Sequence, residues 1–132
     1  MTVIYIRHNN ITAGTRNFKP GTPGEELVPE LKIVSENVFV KTKSNALTNE
    51  AFEAFLRTKG IKTVYLCGAD ATACVKSTAY NMAKSGYTVH VLSNCVTSYD
   101  KTKINEMLRY YESKGCIVER FADITPGNIC EE

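Results

Sequence analysis

The stretch that decides the fold is Val64–Ala79, with the sequence VYLCGADATACVKSTA. Its first four residues form a short apolar run, which is typical of a strand covered on both faces. Gly68 permits the sharp turn that ends this strand, and Thr72 is expected to cap a following helix, since its hydroxyl can accept a free backbone N–H. The helix is predicted from apolar residues at i, i+3, i+4, i+7 and i+8. These residues are Val75, Thr78, Ala79, Met82 and Ala83.

The same alternation of strand and helix extends from this stretch toward both ends of the chain. Apolar runs predict strands at 2–7, 37–40, 63–67, 87–92 and 116–121, and stripes of helical period lie between the last four. Each helical segment ends on a lysine or serine followed by glycine, at Gly60, Gly86 and Gly115. Repeated βαβ units of this kind predict an α/β fold with a mainly parallel sheet of about five strands and right-handed crossovers.

Composition limits the class of protein. The chain of 132 residues has 43% hydrophobic and 23% charged residues and a net charge of +2, which predicts one globular domain over residues 1–132. Its basic residues are scattered among acids, so neither nucleic acid nor a membrane surface is expected as a partner. The five cysteines are odd in number and lack zinc-site or Cys-x-x-Cys spacing, which favours a reducing compartment and predicts a cytoplasmic protein.

Cys74 is the first candidate for chemistry, because it falls in the first turn of a helix at the carboxyl end of a strand. Ligands of open α/β sheets bind at that edge, and the positive helix N-terminus favours a thiolate there. The free N–H groups could also hold an oxyanion. A packed, inert cysteine is an equally good interpretation of the position alone.

Lys41 is the second candidate, since it ends the strand predicted at 37–40 and so lies at the same edge. An ammonium close to the thiol would promote the thiolate and could transfer protons. Spacing alone favours the alternative, which is an ordinary solvated lysine at a strand end.

Several segments resemble the isochorismatase-like cysteine hydrolase family. Gly-x-x-x-x-x-Cys-Val-x-x-Thr-Ala at 68–79, followed by Gly-Tyr-x-Val at 86–89, is similar to the family's nucleophile segment. VKTKSNAL at 40–47 resembles the segment that carries the catalytic lysine, with Lys41 rather than Lys43 at the matching position. Tyr5–His8 and the Gly/Pro-rich residues 21–31 also match, so the resemblance covers nearly the whole chain in order and spacing.

The resemblance implies a Rossmann-like three-layer αβα sandwich and a cysteine hydrolase that acts on a small molecule, often at an amide bond. Cys74 would be the nucleophile, Lys41 its assistant, and the backbone N–H groups of Asp70 and Cys74 the oxyanion hole. A cis peptide bond between Ala69 and Asp70 is implied as well. Relatives commonly form homo-oligomers, so a homo-oligomer is expected here.

One part of the family pattern has no counterpart in this sequence: the strand that ends in the catalytic aspartate and precedes the segment matching Thr2–Arg7. Asp70, Asp100 and Glu25 are weak substitutes on position. An alternative therefore stays open, in which the chain is a catalytically degenerate family member that serves as a binding or assembly module. A thiol-based redox role for Cys74 is a third hypothesis, weakened by the absence of a resolving cysteine at close spacing.

The two histidines, His8 and His90, lie far apart and have no metal-ligand spacing, so a hydrogen-bonded structural role is favoured for His8 over a metal site. The segment from Gly68 to Ala71 lacks the second and third glycines of a dinucleotide fingerprint. Neither a metal nor an organic cofactor is expected.

Overall fold

The computed structural model describes residues 2–8 and 33–123, which form five strands and three α-helices. The strands are β1 (Tyr5–His8), β2 (Val38–Lys41), β3 (Thr63–Ala69), β4 (Thr88–Thr97) and β5 (Ile117–Glu119). The helices are α1 (Glu50–Thr58), α2 (Cys74–Lys84) and α3 (Ile104–Ser113). The matching segment at 21–31 and Cys130 lie outside the described residues.

All strand pairs are parallel, as the βαβ rhythm predicts, and the α/β class is confirmed. Two hydrogen-bonded sheets form within the described residues: a pair, β1–β2, and a three-stranded sheet in the order β3–β4–β5. In the pair, His8 is the register partner of Lys41. In the other sheet the register shifts between Leu66 and Gly68, just before the turn that leads to Cys74.

A single apolar core joins the two sheets and the helices. Ile4 and Ile6 from the first sheet belong to the same buried cluster as Val64 and Leu66 from β3. The α2 helix contributes Val75, Ala79 and Met82, as its apolar stripe predicts. The other helices contribute Phe52 and Leu56 from α1, and Met107 and Tyr111 from α3. Burial of these side chains is the main source of stability. It also fixes where the ends of the strands lie relative to α2.

The α2 helix ends at the predicted glycine. Gly86 has φ +97°, a conformation that residues with a Cβ adopt only with strain. Among the described residues, no helix combines the length and hydropathy needed to cross a bilayer.

Candidate active site

The turn from β3 into α2 is organised by Asp70. The peptide bond between Ala69 and Asp70 is cis, as expected from the resemblance. The Asp70 Oδ1 accepts the Thr72 N–H at 2.8 Å, and its Oδ2 accepts the Tyr99 N–H at 3.1 Å. This carboxylate therefore ties the end of β3 to the segment that follows β4.

Burial by itself would raise the pKa of Asp70, but hydrogen bonds from Thr72, Ser98 and Tyr99 outweigh it and hold the pKa below its ordinary value. Each of those bonds favours the ionised carboxylate. Because its lone pairs are used by the turn, Asp70 is built into the structure rather than presented to a substrate. The role of the Asp70 backbone N–H in an oxyanion hole stays a prediction.

The predicted cap of α2 is wrong. The Thr72 hydroxyl donates to Asp70 Oδ1 at 2.9 Å, and the helix begins after Ala73 with no side-chain cap. The carbonyl of Asp70 accepts the Val75 N–H at 3.0 Å instead. The prediction fails because the N-cap position falls on Ala73, one residue beyond Thr72, while the Thr72 side chain binds the carboxylate two residues before it.

The backbone N–H groups of this turn fall into two sets. Four of them donate within the protein, and they belong to Ala71, Thr72, Ala73 and Val75. The N–H groups of Asp70 and Cys74 make no hydrogen bond to the described residues. They are the two donors that the resemblance implies for an oxyanion hole, and such a hole needs N–H groups that the protein itself does not use.

Lys41 and Cys74 are in contact across the sheet edge. The Lys41 Nζ donates to Cys74 Sγ at 3.1 Å, although the two residues are 33 positions apart. Lys41 is only 5% exposed, so the interpretation as a solvated lysine is wrong. An ammonium at that depth needs acceptors to offset its lost hydration.

Thr78 holds the segment after Lys41 against α2. Its Oγ1 accepts the Ala46 N–H at 3.1 Å and donates to the Ser44 carbonyl at 3.3 Å. Thr78 lies four residues after Cys74 and so shares a helix face with it. One face of α2 therefore supplies both the thiol and the anchor for the chain that carries Lys41. The sequence pattern predicts Thr78 only as part of the apolar stripe and carries no signal for this hydrogen-bonding role.

His8 is the residue that sequence reasoning placed correctly as hydrogen-bonded but did not connect to the site. Its Nδ1 lies 2.9 Å from Lys41 Nζ. Burial, followed by the positive charge of Lys41, lowers the pKa of His8 below its ordinary value of 6.5. The signal that could have identified it is that His8 and Lys41 each end a strand of one parallel pair.

Other candidate groups lie elsewhere. Asp100 accepts the Thr102 N–H at 3.0 Å, which fixes a local turn, and Glu25 lies outside the described residues. His90 is bound to Glu119 at 2.6 Å and stacks on Tyr65 with 4.4 Å between ring centroids. Across residues 2–8 and 33–123, no group of three or more His, Cys, Asp or Glu side chains is placed to hold a metal ion.

The sequence profile of the isochorismatase domain matches residues 1–123. An isochorismatase domain-containing protein 2 from Xenopus laevis is 34% identical over 54% of this chain and 35% of its own length. A protein of Arabidopsis thaliana named as a probable inactive nicotinamidase is 28% identical over 64% of this chain and 44% of its own. The chain thus spans less than half the length of these relatives.

The fold has counterparts among solved structures. The crystal structure of N-carbamoylsarcosine amidase from Thermoplasma acidophilum superposes with a TM-score of 0.80 at 23% identity, covering 95% of this chain and 75% of that one. At this identity the likeness concerns the fold. Together with the profile match over residues 1–123, it leads to one conclusion: the chain belongs to the isochorismatase family and has its hydrolase fold.

Proposed function

We propose that the protein is a cysteine hydrolase that cleaves an amide C–N bond of a small molecule, with Cys74 as the nucleophile and Lys41 as the proton donor and acceptor. The observation that carries the proposal is the 3.1 Å contact between the buried Lys41 Nζ and Cys74 Sγ. An adjacent cation stabilises a thiolate, which is the nucleophilic form of cysteine. A family neighbour that is an amidase supports a C–N bond as the target.

In the first half of the reaction, the Cys74 thiolate attacks the carbonyl carbon and a C–S bond forms. The electron pair of the carbonyl moves to its oxygen, and the N–H groups of Asp70 and Cys74 hold that oxyanion. The C–N bond then breaks as the oxyanion collapses. The departing nitrogen takes a proton from the Lys41 ammonium, which leaves a thioester on Cys74 and a neutral amine on Lys41.

In the second half, a water molecule gives a proton to the neutral Lys41 and attacks the thioester carbon. The same two N–H groups hold the second oxyanion. Its collapse breaks the C–S bond and releases the carboxylic acid. Cys74 returns to the thiolate and Lys41 to the ammonium, so the protons balance over the cycle and no cofactor is consumed.

The test measures iodoacetamide alkylation at pH 7, residue by residue, by mass spectrometry. Cys74 is expected to react faster than Cys95, which is also half-buried. Lys41→Met should slow alkylation of Cys74 by about tenfold, since a charge-assisted hydrogen bond is lost. Lys43→Met is the matched control, because Lys43 is exposed and lies two positions away.

Turnover is measured as ammonia release from N-carbamoylsarcosine and nicotinamide, which each carry a terminal –CO–NH2 group and occur in the names of two similar proteins. Any release should disappear in Cys74→Ser and fall by about a hundredfold or more in Lys41→Met. A Cys74 that reacts no faster than Cys95, or that is indifferent to Lys41, contradicts the proposal.

The second candidate is a family member without catalysis, kept as a binding or assembly module. The relative from Arabidopsis thaliana that is named a probable inactive nicotinamidase favours it. Slow alkylation of Cys74, together with no ammonia release from either compound, is the result that would support this second function.

A further inference from the structure

Three side chains from three elements form one continuous chain of contacts. His8 ends β1, Lys41 ends β2, and Cys74 begins α2. The His8 Nδ1 lies 2.9 Å from Lys41 Nζ, which lies 3.1 Å from Cys74 Sγ. His8 and Lys41 are register partners in the parallel pair, so backbone pairing itself sets the two side chains next to each other.

The contacts define which of the three groups donates and which accepts each hydrogen bond. An ammonium has donors only, so Nδ1 of His8 must accept from Lys41, and the ring proton must sit on Nε2. Within the described residues Lys41 forms no ion pair with a carboxylate. Its acceptors there are the sulfur of Cys74 and the ring nitrogen of His8. One acceptor is the reacting atom, and the other can stay in place throughout the reaction.

We propose that His8 is the positioning residue of this site: its Nδ1 holds the Lys41 amine so that another face of Nζ is directed at Cys74 Sγ and the substrate. This inference rests on the proposed function. After Lys41 gives up its proton, the neutral amine still donates one N–H to His8. Its lone pair therefore points toward the site, ready for the proton of the attacking water, and His8 neither gains nor loses a proton.

Two substitutions distinguish the effect of the accepting nitrogen from the effect of the size of the ring. His8→Asn places an amide oxygen near the position of Nδ1 and keeps the acceptor. His8→Phe keeps a ring and removes the acceptor. We expect His8→Phe to slow iodoacetamide alkylation of Cys74 at pH 7 by about tenfold. His8→Asn should stay within about threefold of the wild type. His90→Phe is the matched control, because that ring contacts Tyr65 and Glu119 instead.

The pH profile gives a readout that a purely structural role would not move. Protonated His8 has no acceptor at Nδ1 and sets a second cation beside Lys41, with the thiol of Cys74 on the other side of Nζ. In the wild type the alkylation rate should therefore fall as pH drops from 6.5 through the lowered pKa of His8. His8→Asn should lack this inflection.

A measurement on the wild type covers the case in which His8→Phe does not fold. The 15N chemical shifts of the His8 ring at pH 7.5 should report an unprotonated Nδ1 and a protonated Nε2. A proton on Nδ1 overturns the proposal, as does a folded His8→Phe with wild-type reactivity or a His8→Asn as slow as His8→Phe. These failures differ from failure of the proposed function, in which wild-type Cys74 itself reacts no faster than Cys95.

Discussion

The carboxyl edges of the two sheets use similar polar groups in opposite ways. At the β1–β2 edge (His8 and Lys41), side chains contact side chains and converge on a sulfur. At the β3–β4 edge (Asp70, Ser98 and Tyr99), a carboxylate is consumed by backbone N–H groups and hydroxyls. At the first edge the charged group contacts a thiol, whereas at the second edge the charged group holds a turn. Proximity to the cysteine in sequence is thus a poor guide to which charged side chain contacts it.

The largest expected effect on stability is at the β3–β4 edge. Asp70→Ala removes the acceptor for Thr72 and Tyr99 and should reduce the free energy of unfolding by about 3 kcal/mol, measured by urea denaturation. Asp100→Ala is the matched control and should lose less, since that carboxylate is exposed and serves a local turn. Lys41→Met should lose less than Asp70→Ala, because the loss of its contacts to Cys74 and His8 is offset by removal of an ammonium that is costly to bury. Equal losses of unfolding free energy in Asp70→Ala and Lys41→Met would contradict the proposed difference between the two sheet edges.

The pH dependence of that effect has a definite sign. The pKa of Asp70 is lower in the folded state than its ordinary 3.8, so the unfolded chain takes up the proton first as pH falls. The stabilisation is fully present above 3.8 and is lost as pH drops through the folded value. The gap between wild type and Asp70→Ala should close in that acid range.

A smaller effect on stability is expected at Thr78, where α2 binds the segment that carries Lys41 (residues 41–47, called the lysine segment). Thr78→Val leaves the buried Ala46 N–H without its acceptor and should reduce the free energy of unfolding by about 2 kcal/mol. Thr78→Ser keeps the hydroxyl and is the control. Thr78→Val should also slow Cys74 alkylation, because the chain that carries Lys41 is no longer anchored. Normal alkylation in this variant would show that β2 alone positions Lys41.

The smallest effect is expected at the far end of α2. Gly86→Ala forces a Cβ into a backbone with φ +97°, and no described atom beyond the adjacent residues lies within 4 Å of that Cβ, so the cost is conformational, about 1 kcal/mol. Ser85→Ala is the neighbouring control. Alkylation of Cys74 should be unchanged in both variants. A change there would mean that the reactivity of Cys74 follows global stability rather than the local contacts of the β1–β2 edge.

Much of the fold and part of the site follow from the sequence. The strand–helix alternation, the apolar stripe of α2 and the positions of Lys41 and Cys74 at element ends all depend on residues close together in the chain. Local spacing is what periodicity reports, so these features were predictable. The boundaries of β1 and β4 were harder to predict, because a strand ends where its hydrogen-bonded pairing with the neighbouring strand ends. β1 covers Tyr5–His8 rather than 2–7, and β4 runs on to Thr97.

The family resemblance added what local spacing could not supply, namely the cis bond before Asp70 and the pairing of Lys41 with Cys74. The sequence by itself determined an α/β chain with a cysteine at a helix start and a lysine at a strand end. Tertiary structure alone decided that His8 touches that lysine, that Asp70 is consumed by its turn, and that Thr78 anchors the lysine segment. The physical reason is distance along the chain: the contacts of His8 with Lys41, of Asp70 with Tyr99, and of Thr78 with Ser44 and Ala46 join residues 29 to 34 positions apart, and only packing brings them together.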